Sequence, residues 1–135
     1  MPNINNLDLI TAKVTDFTIS DLKFVTDFRY WVEIDTVQLF DEYNIPMLLI
    51  NFVLIPKRGA TTFKITIQFS KVASLQLASG GAVIQLSLFE ILDISDSGWD
   101  SVKYCVRDME SEENFKFYCD NIEVIAVEEM DWVVG

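Results

Sequence analysis

Phe63-Lys64-Ile65-Thr66-Ile67-Gln68-Phe69 sets an apolar side chain at every second position and a polar one between. Successive side chains of a strand point to opposite faces, so this stretch reads as a half-buried β-strand with Phe63, Ile65, Ile67 and Phe69 toward the core. Just upstream, Met47 to Ile55 is an apolar run broken only by Asn51 and bracketed by Pro46 and Pro56. A membrane helix needs about 20 such residues, so this run is expected to be a central strand covered on both faces. Lys57-Arg58-Gly59 supplies the turn between the two.

The period of two runs outward from this pair. Thr11 to Ile19 reads as a short strand. Leu22, Phe24 and Phe28 sit two or four apart, and Tyr30, Val32 and Ile34 follow in a next stretch. Val72 to Leu77 is expected to continue the sheet, Gly80-Gly81 to turn sharply, and Ala82 to Leu92 to form the following strand. Asp93 to Ser101 is a polar loop. Val102 to Asp108 and Phe115 to Cys119 make a hairpin with Met109 to Asn114 at its tip, and Asn121 to Val127 closes the set. The reading gives roughly nine or ten strands and no amphipathic helix longer than about two turns. The fold class expected is therefore all-β, an antiparallel β-sandwich or partly open barrel with little helix. At 135 residues, with no visible linker or repeat, the chain reads as a single domain over 1–135.

Composition narrows the chemistry. Half of the residues are hydrophobic and 13% aromatic, which excludes disorder for most of the chain. There is no histidine. Ser-His-Asp and Cys-His catalysis, histidine general bases and histidine-containing zinc sites are thereby excluded. No catalytic residue, metal ligand or cofactor is assigned, and a non-enzymatic protein is expected. The net charge of −11 would repel a polyanion, which argues against nucleic acid as a partner. Met1-Pro2-Asn3-Ile4-Asn5-Asn6 has neither a base nor a long apolar core, so no secretory signal and no membrane anchorage are expected.

Two cysteines are present, Cys105 and Cys119. The apolar face of the first hairpin strand carries Val102, Tyr104 and Val106, leaving Cys105 on the other side with Lys103 and Arg107. The second carries Phe115, Phe117 and Cys119 on its apolar face. With apolar faces matched, Cys105 lies opposite Tyr118 and Cys119 opposite Tyr104, so the thiols point to opposite faces and stay free. Free thiols fit a reducing cytoplasm.

Charge is segregated along the chain. Residues 1–42 carry eight acids and three bases, residues 43–89 four bases and no acid, and residues 90–135 thirteen acids and three bases. The acid-free middle is expected to form the core and the last third a negative face, either solubilising or steering a basic partner. The loop Asp93-Ile94-Ser95-Asp96-Ser97-Gly98-Trp99-Asp100 has oxygen side chains before a glycine, as a calcium loop does. Tyr104 stands where the bidentate glutamate belongs, so a turn capped by its own Asp and Ser side chains is the better reading. Trp99, following a glycine in a polar loop, folds back as a lid or anchors a partner. The pairs Glu112-Glu113 and Glu128-Glu129 fall in loops, with no defined separation across a cleft as a glycosidase requires.

From Phe69 onward the residues carry a resemblance. Phe69-x-x-Val72-x-x-Leu75-x-Leu77 is followed by Phe89-Glu90-Ile91-x-Asp93 and Gly98-Trp99, then Tyr104-x-Val106-x-Asp108-x-Glu110 and Phe117-Tyr118-Cys119-x-x-Ile122-Glu123. This half resembles small, acidic, β-rich bacterial immunity proteins encoded beside polymorphic or contact-dependent toxins. The resemblance implies a non-catalytic cytoplasmic protein that binds a cognate toxin with a basic, nuclease-like surface. Contacts are then expected from Asp96, Trp99, Asp100, Asp108, Glu110, Glu112 and Glu113. The residues also admit an acidic nucleic-acid mimic from a phage or mobile element, or a β-sandwich module for ligand binding or assembly. Oligomeric state is open.

Overall fold

A computed structural model describes residues 2–35, 43–78, 84–97, 102–110 and 114–131. Among these residues the strands are β1 (Leu22–Asp35), β2 (Tyr43–Leu54), β3 (Thr62–Ser70), β4 (Ala73–Leu77), β5 (Ile84–Gln85), β6 (Phe89–Asp93), β7 (Tyr104–Asp108), β8 (Phe115–Cys119) and β9 (Asn121–Met130). They form two antiparallel sheets, ordered β5-β1-β2-β3-β9 and β4-β8-β7-β6, neither of them closed into a barrel. The arrangement is a β-sandwich.

Alternation decides what lies between the sheets. In β3, Phe63, Ile65, Ile67 and Phe69 are buried and the residues between them are half-buried. Their cross-strand partners in β2 are Leu54, Phe52, Ile50 and Leu48, each 0% exposed. The smaller sheet answers with Phe89, Ile91, Val106, Phe115 and Phe117. Aromatic rings lock the two layers: Phe52 meets Phe89 at 5.2 Å, and Phe69 meets Phe117 edge-on at 4.9 Å. The strand expected to be central, β2, does lie in the middle of its sheet. Its one polar interruption is satisfied, because Asn51 Nδ2 donates to Asp27 Oδ2 at 2.8 Å and Asn51 Oδ1 accepts from Thr66 Oγ1 at 2.6 Å. This polar rung crosses three strands and lets the run continue through Asn51.

Three local expectations are corrected. Thr11 to Ile19 is not a strand: a short helix α1 (Asp8–Thr11) and a 3-10 turn at Ile19–Asp21 bracket irregular chain. Ile10, Val14 and Phe17 are buried at spacings of four and three, which suit helical turns and not a strand. Val72 to Leu77 does not continue the first sheet, since Lys71 takes the left-handed conformation (φ +56°) and β4 pairs with β8 across the sandwich. Ala82 to Leu92 is not one strand, because β5 joins the larger sheet and β6 the smaller. The Gly80-Gly81 turn lies outside the described residues.

The hairpin register is as the apolar faces require: Tyr104 opposes Cys119 and Cys105 opposes Tyr118. Neither cysteine is in a disulfide, and both are buried. Burial and the neighbouring Asp120 carboxylate push the Cys119 thiol far above its usual range. It is therefore protonated and unreactive. The turn after β2, with Gly59 at φ +88°, is anchored by Lys57. Its Nζ donates to the buried Asp21 carboxylate at 2.6 Å, to the Thr18 hydroxyl at 2.9 Å and to the Asp16 carbonyl at 3.0 Å.

Candidate functional site

The loop after β6 is built by Asp93. Its Oδ1 accepts from the backbone N–H of Ser95 at 2.9 Å and from the Ser95 hydroxyl at 2.6 Å, an Asx-type turn. The Ser95 hydroxyl and then its N–H hold the Asp93 carboxyl below its ordinary value. A carboxyl depressed by folding contributes stability above its unfolded pKa and loses it as pH falls through the folded one. Ser95→Ala is expected to move the Asp93 titration upward in a carboxyl NMR experiment; an unmoved titration would contradict the turn. The carboxylate of Asp93 thus serves its own loop, and Asp96 beside it is exposed. Trp99 and Asp100 lie outside the described residues.

Asp93 opposes Tyr104 and Phe89 opposes Asp108, so these pairs bound the β6–β7 ladder. The loop bearing Asp96 and the hairpin tip bearing Glu110 therefore lie beyond opposite ends of a ladder about 13 Å long, at roughly 3.3 Å per residue. At the tip Glu110 is exposed beside two solvent-facing apolar side chains, Met109 and Leu88. The N–H of Met109 donates to the Leu88 carbonyl at 2.9 Å and holds the two segments together. Glu112 and Glu113 lie outside the described residues.

Asp108 is a correction. Expected on the surface, it is 1% exposed. Its Oδ1 accepts from Leu88 N–H at 2.7 Å and its Oδ2 from Ser87 N–H at 3.2 Å. The carboxylate caps the corner where the chain passes from one sheet to the other, and leaves the partner surface. Its parity carried the signal, because Asp108 shares a strand face with the buried Tyr104 and Val106. Other acids of the last third are also engaged: Glu90 binds Arg107 at 2.6 Å, and Asp120 lies between Lys71 at 3.5 Å and Lys103 at 3.6 Å.

One surface was not assigned any role from sequence. Phe28, Tyr30 and Val32 oppose Ile50, Leu48 and Pro46 and so share the inner face of the larger sheet. Ile50 and Leu48 are 0% exposed, whereas Phe28, Tyr30 and Val32 are 46%, 48% and 43% exposed. β1 overruns the cover given by the second sheet. On the opposite face of β1, Arg29 lies over the Trp31 ring at 4.9 Å. A cleft of about 550 Å³ lies elsewhere, with Val14 and Phe63 in its lining and Lys13, Arg58, Asp16 and Glu129 contributing mixed charge.

No helix among the described residues is long and apolar enough to cross a membrane. No curated protein and no solved structure matches the chain. A family model does, that of Immunity protein PIM8, over residues 7–125. The match takes in α1, the long β1–β2 hairpin and both sheets, well beyond the half of the sequence that carried the resemblance. The chain belongs to the PIM8 immunity protein family.

Proposed function

We propose that this chain, acting as a single cytoplasmic domain, is a non-catalytic inhibitor that binds and neutralises a cognate toxin domain with a basic, nuclease-like surface. The observation that carries this reading is the family match over residues 7–125. The charge of −11 supports it, because an acidic inhibitor gains association rate from the field it presents to a basic cleft. Asp96 and Glu110 are exposed in that field, and Trp99, Asp100, Glu112 and Glu113 lie within four residues of them in the sequence. A nucleic-acid mimic would share the charge, but the family favours a toxin as the target.

The test is co-expression, in a bacterial host, with the toxin domain encoded in the neighbouring gene. The wild-type chain is expected to restore growth, and the combined variant Glu110→Lys, Glu112→Lys and Glu113→Lys to associate roughly tenfold more slowly with a weaker salt dependence. Failure of the wild-type chain to protect would sink the reading. An association rate unchanged by the three reversals would remove the β7–β8 tip from the steering surface.

A further inference from the structure

We infer that the outer half of β1, from Phe28 to Val32, is the docking edge on which an extended, basic segment of the toxin adds as a further strand. The inference rests on the inhibitor reading and places its short-range contact on a surface distinct from the acidic loops.

Backbone direction is the first observation. Pro46 opposes Val32, and its carbonyl accepts from the N–H of Val72 at 3.0 Å, on the β3 side of β2. A strand residue sends its N–H and C=O to the same side, so Pro46 turns away from β1 and Val32 sends its own polar groups to the outer edge. The register runs unbroken from Asp27 to Asp35, so Tyr30 and Phe28 point the same way. Among the described residues, that side of β1 is paired only from Lys23 to Val25, by β5 and the Leu86 N–H that follows it. Phe28, Tyr30 and Val32 thus offer backbone donors and acceptors along the edge and apolar side chains beside it.

The other edges are blunted. β9 has a register shift against β3, and Asn5 bridges its outer side through bonds to the Ile122 carbonyl and the Val124 N–H. β4 is five residues long, with a register shift and Ser74 in the left-handed conformation. β6 is also five residues long. Bulges, short strands and covering segments are how sheets avoid unwanted pairing, and among the described residues β1 beyond Asp27 has none of them. A long apolar edge without such protection is a site for strand addition.

Charge selects the occupant. Along the described part of this edge, residues 27–35, Glu33 and Asp35 stand against Arg29 alone, and Asp27, held by Asn51, adds to the same sign. Two copies pairing through this edge would set like charges together within chains already at −11. A basic segment meets the same edge with complementary charge, while aromatic and aliphatic side chains supply the desolvated anchors that strong interfaces need.

The test measures dissociation of the catalytically inactivated toxin domain from the immobilised chain. Val32→Pro removes one outward N–H and leaves the β1–β2 ladder intact, since proline is tolerated on an edge strand when its missing N–H faces outward. Tyr30→Lys is the second variant and retains the whole backbone, in case the proline unfolds the hairpin. Each folded variant is expected to dissociate at least about tenfold faster with little change in association rate. Wild-type dissociation rates in both would overturn the edge while leaving the inhibitor reading standing. No binding by the wild-type chain would overturn both. A light-scattering mass showing a dimer that Tyr30→Lys converts to monomer would give the edge to a second copy instead.

Discussion

Phe117→Ala is expected to destabilise the protein by about 3–5 kcal/mol, enough to lower its melting temperature on the order of 10 °C. Phe117 is 0% exposed in β8 and carries the contact between the sheets. Its ring lies edge-on to Phe69 at 4.9 Å and tilted to Phe115 at 5.9 Å. Phe115 in turn meets Phe89, and Phe89 meets Phe52. Truncation removes the transfer energy of the ring and opens a cavity among residues that four surrounding strands hold apart, so collapse is limited. Phe117→Leu retains most of the volume and should cost clearly less. Chemical denaturation of the three proteins checks this, and equal losses for Ala and Leu would show that packing at Phe117 is not what holds the sheets.

Asp108→Ala carries the second large effect, about 2–4 kcal/mol, because two hydrogen bonds of about 1.5–3 kcal/mol each are lost and the cost of burying the carboxyl group is recovered in part. The carboxylate receives two backbone N–H groups from the corner joining β5 to β6. Only residues 86–88 separate those strands, which belong to different sheets. Without the acceptor the corner loses its tie to the end of β7, and the N–H groups of Ser87 and Leu88 lose their partner. Hydrogen exchange should therefore accelerate at Ser87 and Leu88 more than at the core positions of β3. Unchanged exchange at the corner, or loss of toxin binding without loss of stability, would return Asp108 to the partner surface.

Where one periodicity controlled burial, the chain was legible. The alternation from Phe63 to Phe69, the central place of β2 and the opposed cysteines all follow from a side-chain period of two. What escaped was set by tertiary geometry. Ile10, Val14 and Phe17 lie among β-branched residues that favour strand, yet their spacings of four and three let turns bury all three. Ala82 to Leu92 holds apolar residues throughout and so reads as continuous, yet its alternation slips by one at Leu88-Phe89, where burial passes from Ile84 and Leu86 to Phe89 and Ile91. Phe28, Tyr30 and Val32 have an inward pattern, and only the reach of the second sheet determines that they stay half-exposed.

The candidate site was less legible than the fold for a related reason. Net charge by segment counts acids without their partners. Asp108 is used inside, while Glu90 and Asp120 have bases on adjoining strands or turns. Of the named contact candidates, the two that are described and exposed, Asp96 and Glu110, are split between the two ends of one sheet. Electrostatic steering tolerates that division, because each end can attract a basic partner on its own within about a Debye length, roughly 8–10 Å. A single contact patch does not, and a docking surface separate from the charged loops accommodates it.

The most direct measurement mixes the purified chain with the proposed cognate toxin domain and records complex mass and toxin activity together. The account predicts a one-to-one complex, complete loss of toxin activity at equimolar ratio, and association that slows as salt is raised. A toxin that stays active in the presence of excess chain, with no complex at low salt, would contradict it.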